Sequence, residues 1–316
     1  MDVSRGWALK SPAVFLMAYG SPARPEDIQS YLAHIRGGDR PSPEAIADLR
    51  RRYDAIGGRS PLLEITRSQA AELQSALEGA GIRAPVFVGM KHWHPFIRDV
   101  VTDIVAKGFE QIIGIALAPH YSRISIEGYE TATHEGLRAC GGSTELVMVR
   151  DWHLEPGLIR TWADAVGAIQ RARPEFGEDG ARILFSAHSL PKRILDEGDP
   201  YPQQLEETCA AIAEKLGTDR WAFAWQSAGS RGTWLGPSVL ETLDELAVHG
   251  VTAVLSAPIG FTSDHLEILY DLDIGAASHA RELGIRWGRA PLPNAAPAFI
   301  AGLAEMVRCT VKDVGT

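Results

Sequence analysis

Short apolar runs alternate along the chain with amphipathic segments of helical pattern. The apolar runs lie at residues 13–18, 85–89, 112–117 and 146–149 in the first half, and at 183–186, 221–225, 251–257 and 285–288 in the second. The amphipathic segments between them include residues 67–78, 96–107, 205–216 and 237–249. This alternation is typical of βαβ units, in which helices cover the faces of a parallel sheet. The pattern predicts an α/β fold with a four-stranded parallel sheet in each half.

The two halves of the chain also repeat each other weakly. Residues 17–22 (Met-Ala-Tyr-Gly-Ser-Pro) stand where the second half has a turn containing His188, and residues 118–120 (Ala-Pro-His) answer 257–259 (Ala-Pro-Ile). We therefore expect a duplicated, doubly wound domain, with domains at residues 1–150 and 151–295. Residues 296–316 carry a last helix that we expect to fold back across the first domain. Because no linker is rich in Gly and Ser, the halves should pack tightly around a cleft.

Composition and charge exclude several classes of partner. The net charge of −9 argues against nucleic acid or anionic membrane as a partner, because both require a basic face. No run approaches the roughly 18 apolar residues that span a bilayer, and residues 1–10 lack the apolar core of a signal peptide, so we expect a cytoplasmic protein. The three cysteines, Cys140, Cys209 and Cys309, are widely separated and support neither a disulfide framework nor a zinc or iron–sulfur cage.

A local group of arginines carries positive charge in a chain whose net charge is negative. It comprises Arg36, Arg40, Arg50, Arg51, Arg52 and Arg59, and it is interspersed with Asp39, Glu44, Asp48 and Asp54. This pattern is compatible with a solvated helix face that carries ion pairs. It is equally compatible with the recognition of carboxylates by guanidinium groups. The sequence pattern alone leaves both interpretations open.

His188 follows an apolar run by two residues, in the turn Ser186-Ala187-His188-Ser189-Leu190-Pro191. Open α/β sheets bind their ligands at the carboxyl ends of their strands, so the imidazole should stand where it can contact a ligand. A histidine that only bonds to backbone atoms in a tight turn is the alternative.

A second candidate motif follows the run at residues 251–257. We expect a helix to start near Ser263 or Asp264, with Asp264, Glu267 and Asp271 on one face at positions i, i+3 and i+7. Such a stripe is often solvated surface. Since it opens directly from a buried strand, these carboxylates could instead capture a divalent cation together with His188, or remove protons from a bound acid.

Motifs throughout the chain occur in the same order in one known family. Around the two candidate turns they are residues 186–191, 258–261 (Pro-Ile-Gly-Phe) and 264–267 (Asp-His-Leu-Glu). The others are residues 17–22, 52–62 (Arg-Tyr-Asp-Ala-Ile-Gly-Gly-Arg-Ser-Pro-Leu), 118–122 (Ala-Pro-His-Tyr-Ser), 198–202 (Gly-Asp-Pro-Tyr-Pro), 226–227 (Gln-Ser), 234–237 (Trp-Leu-Gly-Pro) and 293–294 (Pro-Asn). In this set, which runs from about residue 13 to 311, the chain resembles ferrochelatase, the enzyme family that inserts ferrous iron into a porphyrin.

The resemblance implies two Rossmann-like domains of the class II chelatase fold, with a porphyrin between them. It implies that His188 and Glu267 form the metal and catalytic centre, with Fe²⁺ as a substrate, and that Tyr19 faces the other side of the macrocycle, where its phenol oxygen could ligate the product iron. Asp264 and Asp271 are candidate members of a metal relay. The sequence does not decide which of His188 and Glu267 accepts protons and which binds the metal. No iron–sulfur cluster is expected, since cysteines are too few.

The segment at residues 31–48 is short and polar, where protoporphyrin enzymes of this family carry a longer apolar lip. In this the chain resembles the soluble coproporphyrin III ferrochelatases. Coproporphyrin III carries four propionates, and the positions that match the family's binding residues for it are Arg36, Arg52, Tyr53, Ser60 and Tyr129. The resemblance also implies a downstream enzyme of the haem pathway as a partner. We expect a monomer, because no exposed heptads or large apolar stripe are visible.

The chain departs from its relatives at two positions. Gly275 stands where relatives often have a glutamate that extends the carboxylate path, and Gly37 stands where relatives can carry a second arginine. Three other functions stay open from the sequence. They are a protoporphyrin IX ferrochelatase, a tetrapyrrole chelatase for another metal, and a haem-binding module without catalytic activity.

Overall fold

The computed structural model describes residues 12–141, 143–229 and 232–314, and the side chains of all of these except 312–314. Residues 1–10, for which the sequence predicts no signal peptide, lie outside the described residues. Grouping by internal contacts divides the chain into two units. The first consists of Met1–Ala47, Pro61–Trp152 and Asn294–Thr316, and the second of Asp48–Ser60 and His153–Pro293.

The first unit contains a parallel sheet whose first strand lies inside it. Its strands are β1 (Ala13–Ala18), β2 (Val86–Met90), β3 (Gln111–Ala116) and β4 (Glu145–Val149). Their spatial order is β2-β1-β3-β4. Every residue of β1 is buried, as the uninterrupted apolar run predicts for a strand covered on both faces.

Helices accompany these strands in the order that the sequence pattern predicts. They are α1 (Ile28–Ile35), α2 (Pro43–Ala55), α3 (Leu62–Gly79), α4 (Ile97–Ala106) and α5 (Ile126–Cys140). The helix α5 ends at Gly141, whose φ of 64° is the left-handed conformation that glycine adopts without strain.

The second unit repeats this arrangement. Its strands are β5 (Ala181–His188), β6 (Trp221–Gln226), β7 (Ala253–Ala257) and β8 (Arg286–Arg289), all parallel. Their order is β6-β5-β7-β8, so the first strand of each unit lies between the second and the third. This shared order agrees with the duplication that the weak internal repeat suggests. In both sheets the neighbours of the first strand are reached in opposite directions, which makes its carboxyl end a topological switch point.

The helices of the second unit are α6 (Pro156–Ala172), α7 (Tyr201–Leu216), α8 (Val239–Val248) and α9 (Ala277–Glu282). The helix α8 begins with a capping box, in which Ser238 and Glu241 satisfy each other's backbone N–H groups. A π-helix, Ile268–Ala276, precedes α9 and continues into it.

The last helix, α10 (Pro297–Val314), packs against α3 within the first unit. The segment Asp48–Ser60, which the prediction places in the first domain, groups with the second unit. The domain boundaries at residues 150 and 295 stay a prediction. Among the helices in the described part of the chain, none combines the length and apolar character needed to cross a bilayer.

Candidate functional site

His188 is the last residue of β5, at the carboxyl edge of the second sheet. It lies opposite Gln226 on β6. The following turn is fixed by Ser189, whose N–H donates to the Gln226 carbonyl at 2.8 Å and whose hydroxyl donates to the Leu235 carbonyl at 2.8 Å. The Tyr201 hydroxyl donates to the His188 carbonyl at 3.1 Å. The backbone around His188 is therefore held from three sides, which fixes the position from which its ring extends.

Glu267 faces the His188 ring. The distance from His188 Nε2 to Glu267 Oε1 is 3.6 Å, and each side chain is 34% exposed. His188 Nδ1 bonds to the Ser189 carbonyl, which can only accept, so this nitrogen carries a proton and Nε2 is the atom presented to the carboxylate. The sequence predicts this pair, and the structure brings its two members together.

A second imidazole flanks the same carboxylate. His265 Nε2 lies 3.6 Å from Glu267 Oε2, and His265 Nδ1 bonds to the Ser263 carbonyl at 2.9 Å. The Phe261 ring packs against His265, with ring centroids 4.9 Å apart. His265 belongs to one of the motifs that carry the resemblance, but no role was predicted for it. Its position between two candidate acidic residues was the signal that could have identified it.

The electrostatics of the pair favour the charged form of both members. Burial alone lowers the pKa of His188, but the Glu267 carboxylate and the bond to Ser189 raise this pKa to about 9. Burial raises the pKa of Glu267, but the charge of His188 and its hydrogen bond to the carboxylate, with a smaller contribution from the contact with His265, outweigh this and hold the pKa far below its usual range. Without iron, His188 is thus an imidazolium at neutral pH, and it must lose this proton before it can act as a base.

Asp271 lies four residues after Glu267 in the π-helix. Its Oδ2 accepts a hydrogen bond of 2.6 Å from the Ser227 hydroxyl, and its Oδ1 is 3.7 Å from Arg52 Nη1. Burial and the nearby charge of Glu267 raise the pKa of Asp271. Asp271 therefore stays a candidate for the metal relay, next to Glu267.

Asp264 is placed differently from the prediction of three carboxylates on one helix face. The helical segment begins at Leu266, not near Ser263 or Asp264, and from Ile268 it is a π-helix. The Asp264 side chain lies before the helix and pairs with Arg289 at 3.1 Å. Because a π-helix bonds residue i to i+5, its turn is wider than that of an α-helix, and the i, i+3, i+7 alignment does not apply.

Three of the predicted porphyrin-binding residues, Arg52, Tyr53 and Ser60, lie in the segment Asp48–Ser60, which belongs to the same unit as the pair. Arg52 Nε lies 2.9 Å from Asp48 Oδ2, and its guanidinium lies 5.4 Å from the centroid of the Tyr270 ring. Tyr53 is buried, and its burial together with the charge of Glu267 raises the pKa of its phenol. Ser60, the last residue of this segment, is half-buried.

The other predicted residues belong to the first unit. Tyr19 directly follows β1 and is 45% exposed, with its ring centroid 4.5 Å from that of His92. Tyr129, on α5, is buried, and burial followed by the nearby Tyr19 phenol raises its pKa. Arg36 is exposed immediately after α1. The next residue, Gly37, has a φ of 69°, a conformation that an arginine at this position would rarely adopt.

Two residues of the first unit that follow β2, Lys91 and His92, were not predicted from the sequence. Lys91 Nζ lies 5.0 Å from the centroid of the Tyr129 ring, and burial lowers its pKa. His92 Nδ1 lies 3.2 Å from His34 Nδ1. Because Ala18 of β1 is in register with Met90 of β2, the residues that follow the two strands lie at the same sheet edge. Once Tyr19 is identified after β1, the same reasoning could have identified Lys91 and His92 after β2.

Across residues 12–141, 143–229 and 232–314, no group of three or more His, Cys, Asp and Glu side chains is arranged to hold a metal ion. The candidate centre is thus a pair, His188 and Glu267, with His265 beside it. Such a pair offers one imidazole and one carboxylate to a divalent transition metal, and both groups can also exchange protons.

Solved structures confirm the predicted fold. The sirohydrochlorin chelatase SirB from Bacillus subtilis subspecies spizizenii, in complex with cobalt, matches 96% of this chain and 96% of its own, with a TM-score of 0.56 at 11% identity. SirB from Bacillus subtilis with Fe³⁺ gives a TM-score of 0.54 at 13% identity. The likeness concerns the fold alone, which is the class II chelatase arrangement of two Rossmann-like domains.

Sequence comparisons identify the family. The ferrochelatase family model matches residues 11–311. A ferrochelatase from Herpetosiphon aurantiacus is 44% identical over 93% of this chain and 97% of its own. The coproporphyrin III ferrochelatases of Geobacillus kaustophilus and Bacillus subtilis are 42% and 40% identical, each over 94% of this chain and over 95% and 97% of their own. The resemblance drawn from the motifs is confirmed, and the chain belongs to the ferrochelatase family.

Proposed function

We propose that the chain inserts ferrous iron into coproporphyrin III and forms Fe-coproporphyrin III in haem biosynthesis. The observation that carries the metal chemistry is the His188–Glu267 pair at the carboxyl edge of the second sheet. The choice of porphyrin is supported by relatives named coproporphyrin III ferrochelatases, which are 40–42% identical over nearly their whole length.

Insertion requires that two pyrrole N–H protons leave while Fe²⁺ loses water ligands. Of the two groups, His188 is the stronger base, since its pKa is raised whereas that of Glu267 is lowered. We therefore assign to Glu267 the first contact with Fe²⁺. A cation beside Glu267 opposes the imidazolium, so His188, whose side chain is 34% exposed, releases its proton to water. The neutral imidazole can then accept each of the two pyrrole protons in turn and pass it to water.

The propionates of the substrate require hydrogen-bond donors, which we assign to Arg36, Arg52, Tyr53, Ser60 and Tyr129. A guanidinium binds a carboxylate through two parallel hydrogen bonds, which suits Arg36 and Arg52. Arg52 already pairs with Asp48, so its orientation is set before a propionate arrives. We propose that Tyr19 would supply a phenol oxygen to the product iron, which is supported by its position directly after β1 and its 45% exposure.

The function is tested by anaerobic Fe²⁺ insertion with the purified protein, followed by absorbance, with coproporphyrin III and protoporphyrin IX as alternative substrates. We expect turnover of coproporphyrin III to exceed that of protoporphyrin IX. The reverse preference would favour a protoporphyrin ferrochelatase, as the more generally named Herpetosiphon relative allows. Binding of both porphyrins without turnover would indicate a haem-binding module.

Two variants separate the roles of the pair. We expect His188→Ala to lose turnover with porphyrin binding retained, and added imidazole to restore part of it, because a free base can enter the vacated space. We expect Glu267→Gln to raise the KM for Fe²⁺. His249→Ala, which changes an exposed histidine at the end of α8, is the control and should match the unmodified protein. Rescue of Glu267→Gln but not His188→Ala by imidazole would reverse the assignment.

The propionate contacts are tested by Arg36→Ala, with Arg40→Ala as a matched control at another exposed arginine of the same segment. We expect Arg36→Ala to raise the Kd of coproporphyrin III more than that of protoporphyrin IX, because only the former has four propionates. Equal effects on both porphyrins, or equal effects of both variants, would contradict a specific contact.

The remaining proposals concern the setting of the reaction. We infer that the chain carries no iron–sulfur cluster, which is supported by the complete burial of Cys209 in the core and by its distance in sequence from Cys140 and Cys309. We also propose that it acts in the cytoplasm as a monomer, without nucleic acid or stable membrane insertion, and passes its product to a later enzyme of the haem pathway. The net charge of −9 supports the absence of polyanionic partners.

A further inference from the structure

Arg289 binds two carboxylates at the edge of the second sheet. It is the last residue of β8, and its side chain is 15% exposed. Its Nε and Nη2 donate to the two oxygens of Asp273 at 2.6 and 2.9 Å, and its Nη2 lies 3.1 Å from Asp264 Oδ1. A planar guanidinium with two parallel hydrogen bonds to one carboxylate has a fixed orientation.

The two carboxylates flank Glu267 along the chain. Asp264 precedes Glu267 by three residues, in the loop after β7, and Asp273 follows it by six, inside the π-helix. Arg289 therefore ties both ends of the segment that carries Glu267 to one point. That point belongs to the sheet, because Arg289 is in register with Ser256 of β7 and the next N–H, of Ala290, donates to the Ser256 carbonyl at 2.8 Å.

The contact matters because Glu267 lies between two elements of irregular geometry. Residues 261–265 form an irregular loop, and the π-helix that starts at Ile268 is a rare conformation that is frequent at functional sites. The candidate ligand between these two elements must be held to a fraction of an ångström for catalysis. Arg289 supplies a rigid, charge-neutralising contact on each side of it.

We propose that Arg289 is a positioning residue for metal insertion, and that Asp264 and Asp273 form with it a clamp that sets the place of Glu267. In this role Asp264 affects metal insertion through Arg289 and does not itself bind Fe²⁺ on its way to the porphyrin. The inference deepens the proposed function and rests on it, since it assigns to Glu267 the first contact with Fe²⁺.

The clamp is tested by kinetics of the full-length protein with Fe²⁺ and coproporphyrin III. We expect Arg289→Met to lower kcat/KM for Fe²⁺ about tenfold or more, as small displacements of reacting groups do. The Kd of the porphyrin should stay within about twofold, because no proposed propionate contact is touched. For Arg289→Lys we expect a kcat/KM for Fe²⁺ between those of Arg289→Met and the unmodified protein, since lysine keeps the charge but lacks the planar guanidinium that orients two carboxylates. Arg220→Met, which removes the ion pair with Asp179 elsewhere in the unit, is the matched control.

A double-mutant cycle distinguishes a clamp from a relay. If Asp264 acts through Arg289, Asp264→Asn lowers kcat/KM for Fe²⁺ in the natural background and has no further effect in Arg289→Met. If Asp264 passes iron onward itself, the two substitutions act independently, their effects multiply, and the clamp is refuted. Asp264→Asn and Arg289→Lys keep the cycle informative where Arg289→Met folds poorly.

Hydrogen exchange gives a readout that does not depend on turnover. We expect Arg289→Met to speed amide exchange across residues 264–276, with β5 and β6 unchanged. Faster exchange in a protein that inserts no iron would overturn the proposed function and with it the role in metal insertion, while the structural effect of Arg289 on this segment would stay supported. Unchanged exchange and unchanged kcat/KM in a protein that does insert iron would overturn the clamp alone.

Discussion

At the scale of single residues, Glu267 is the group whose charge shifts the pKa values of several neighbours. It lies 3.6 Å from the Nε2 atoms of both His188 and His265, and its charge contributes to the raised pKa of Asp271 and of Tyr53. A carboxylate with this many ionisable neighbours sets the charge of the whole centre, because each interacts with it in a partly desolvated environment.

Replacing Glu267 should therefore change the titration of His188. In Glu267→Gln the burial that lowers the pKa of His188 remains, while the carboxylate that raises it is lost. We expect the pKa of His188 to fall from about 9, which carbon and nitrogen NMR of the imidazole can follow. Glu207→Gln, which changes the partner of His153 in the same unit, is the control. A pKa of His188 that stays near 9 would show that Glu267 does not control it.

His92 should make the protein sensitive to acid. Burial, Lys91 and His34 lower the pKa of His92 to about 4, below its ordinary value of 6.5. The folded protein therefore favours the neutral His92 ring. The contribution of this ring to the free energy of unfolding is fully present above pH 6.5 and is lost as the pH falls toward 4. After a discount for the partly exposed ring, the effect is on the order of 2 kcal/mol.

The acid sensitivity is measured by urea unfolding of His92→Gln at about pH 7 and about pH 4. We expect the free energy of unfolding to fall less steeply with acid in this variant than in the unmodified protein. The control is His249→Gln, at an exposed histidine. Equal acid dependence of the unmodified protein and His92→Gln would contradict the assignment.

The sequence could identify residues that follow strands but not the partners that each of them contacts. His188 and Glu267 come after apolar runs, so the edge rule for parallel sheets finds them. Arg289 lies 22 residues after Glu267 on another strand, and only the fold brings it to Asp264. Arg289 directly follows the apolar run at residues 285–288, so the edge rule places it at the end of a strand. Its partners could not be predicted, because Asp264 and Asp273 lie on other elements.

At the scale of elements, the end of β5 and the turn after β7 are in close contact. A Cβ added to Gly260 would lie 2.5 Å from the Ala187 Cβ and 2.9 Å from the Ala187 Cα, one residue from His188. The Gly260 N–H also donates to the Ser186 carbonyl at 3.2 Å. The glycine is required here because the two backbones approach too closely for any side chain.

Gly260→Ala should therefore disturb both stability and the position of His188. The clash is with backbone and a rigid methyl group, so the end of β5 must shift, at a cost of about 1–3 kcal/mol. We expect a lower midpoint of urea unfolding together with reduced iron insertion. Gly79→Ala is the control, since no atom lies within 4 Å of its added Cβ at the end of α3. A neutral effect of Gly260→Ala would mean that the contact is looser than described.

The strands are predictable from the sequence to within two residues at every end, because buried parallel strands are continuous apolar runs. The π-helix is not. The spacing of Asp264, Glu267 and Asp271 fits an α-helix. Residue propensities do not distinguish a π-helix, with its i to i+5 hydrogen bonds, from an α-helix. Its conformation depends on tertiary contacts such as those of Asp271 with Ser227 and of Asp273 with Arg289.

At the scale of the whole molecule, the first unit is built from both ends of the described chain. The helix α10 buries Phe299, Leu303 and Val307, and the Phe299 ring lies 5.9 Å from that of Trp152. Because α10 packs against α3, the core of the first unit includes residues more than 200 positions apart in sequence.

Phe299→Ala should destabilise the first unit although it is far in sequence from β1. The side chain is 1% exposed, and removing a buried phenylalanine costs about 3–5 kcal/mol. We expect faster hydrogen exchange in β1 and α3 and a lower midpoint of unfolding. Ala301→Gln, at an exposed position of α10, should have little effect. Exchange that changes only within α10 would show that this helix is not part of the core.

The placement of α10 has a consequence for synthesis on the ribosome. All residues of the second unit, up to Pro293, are translated before α10 exists. Domains generally fold in the order in which they emerge. Here the unit that starts first must wait for its last helix, with the apolar surface that Phe299 will cover still open. The core of the first unit can therefore be completed only after the last residues of α10 have been made.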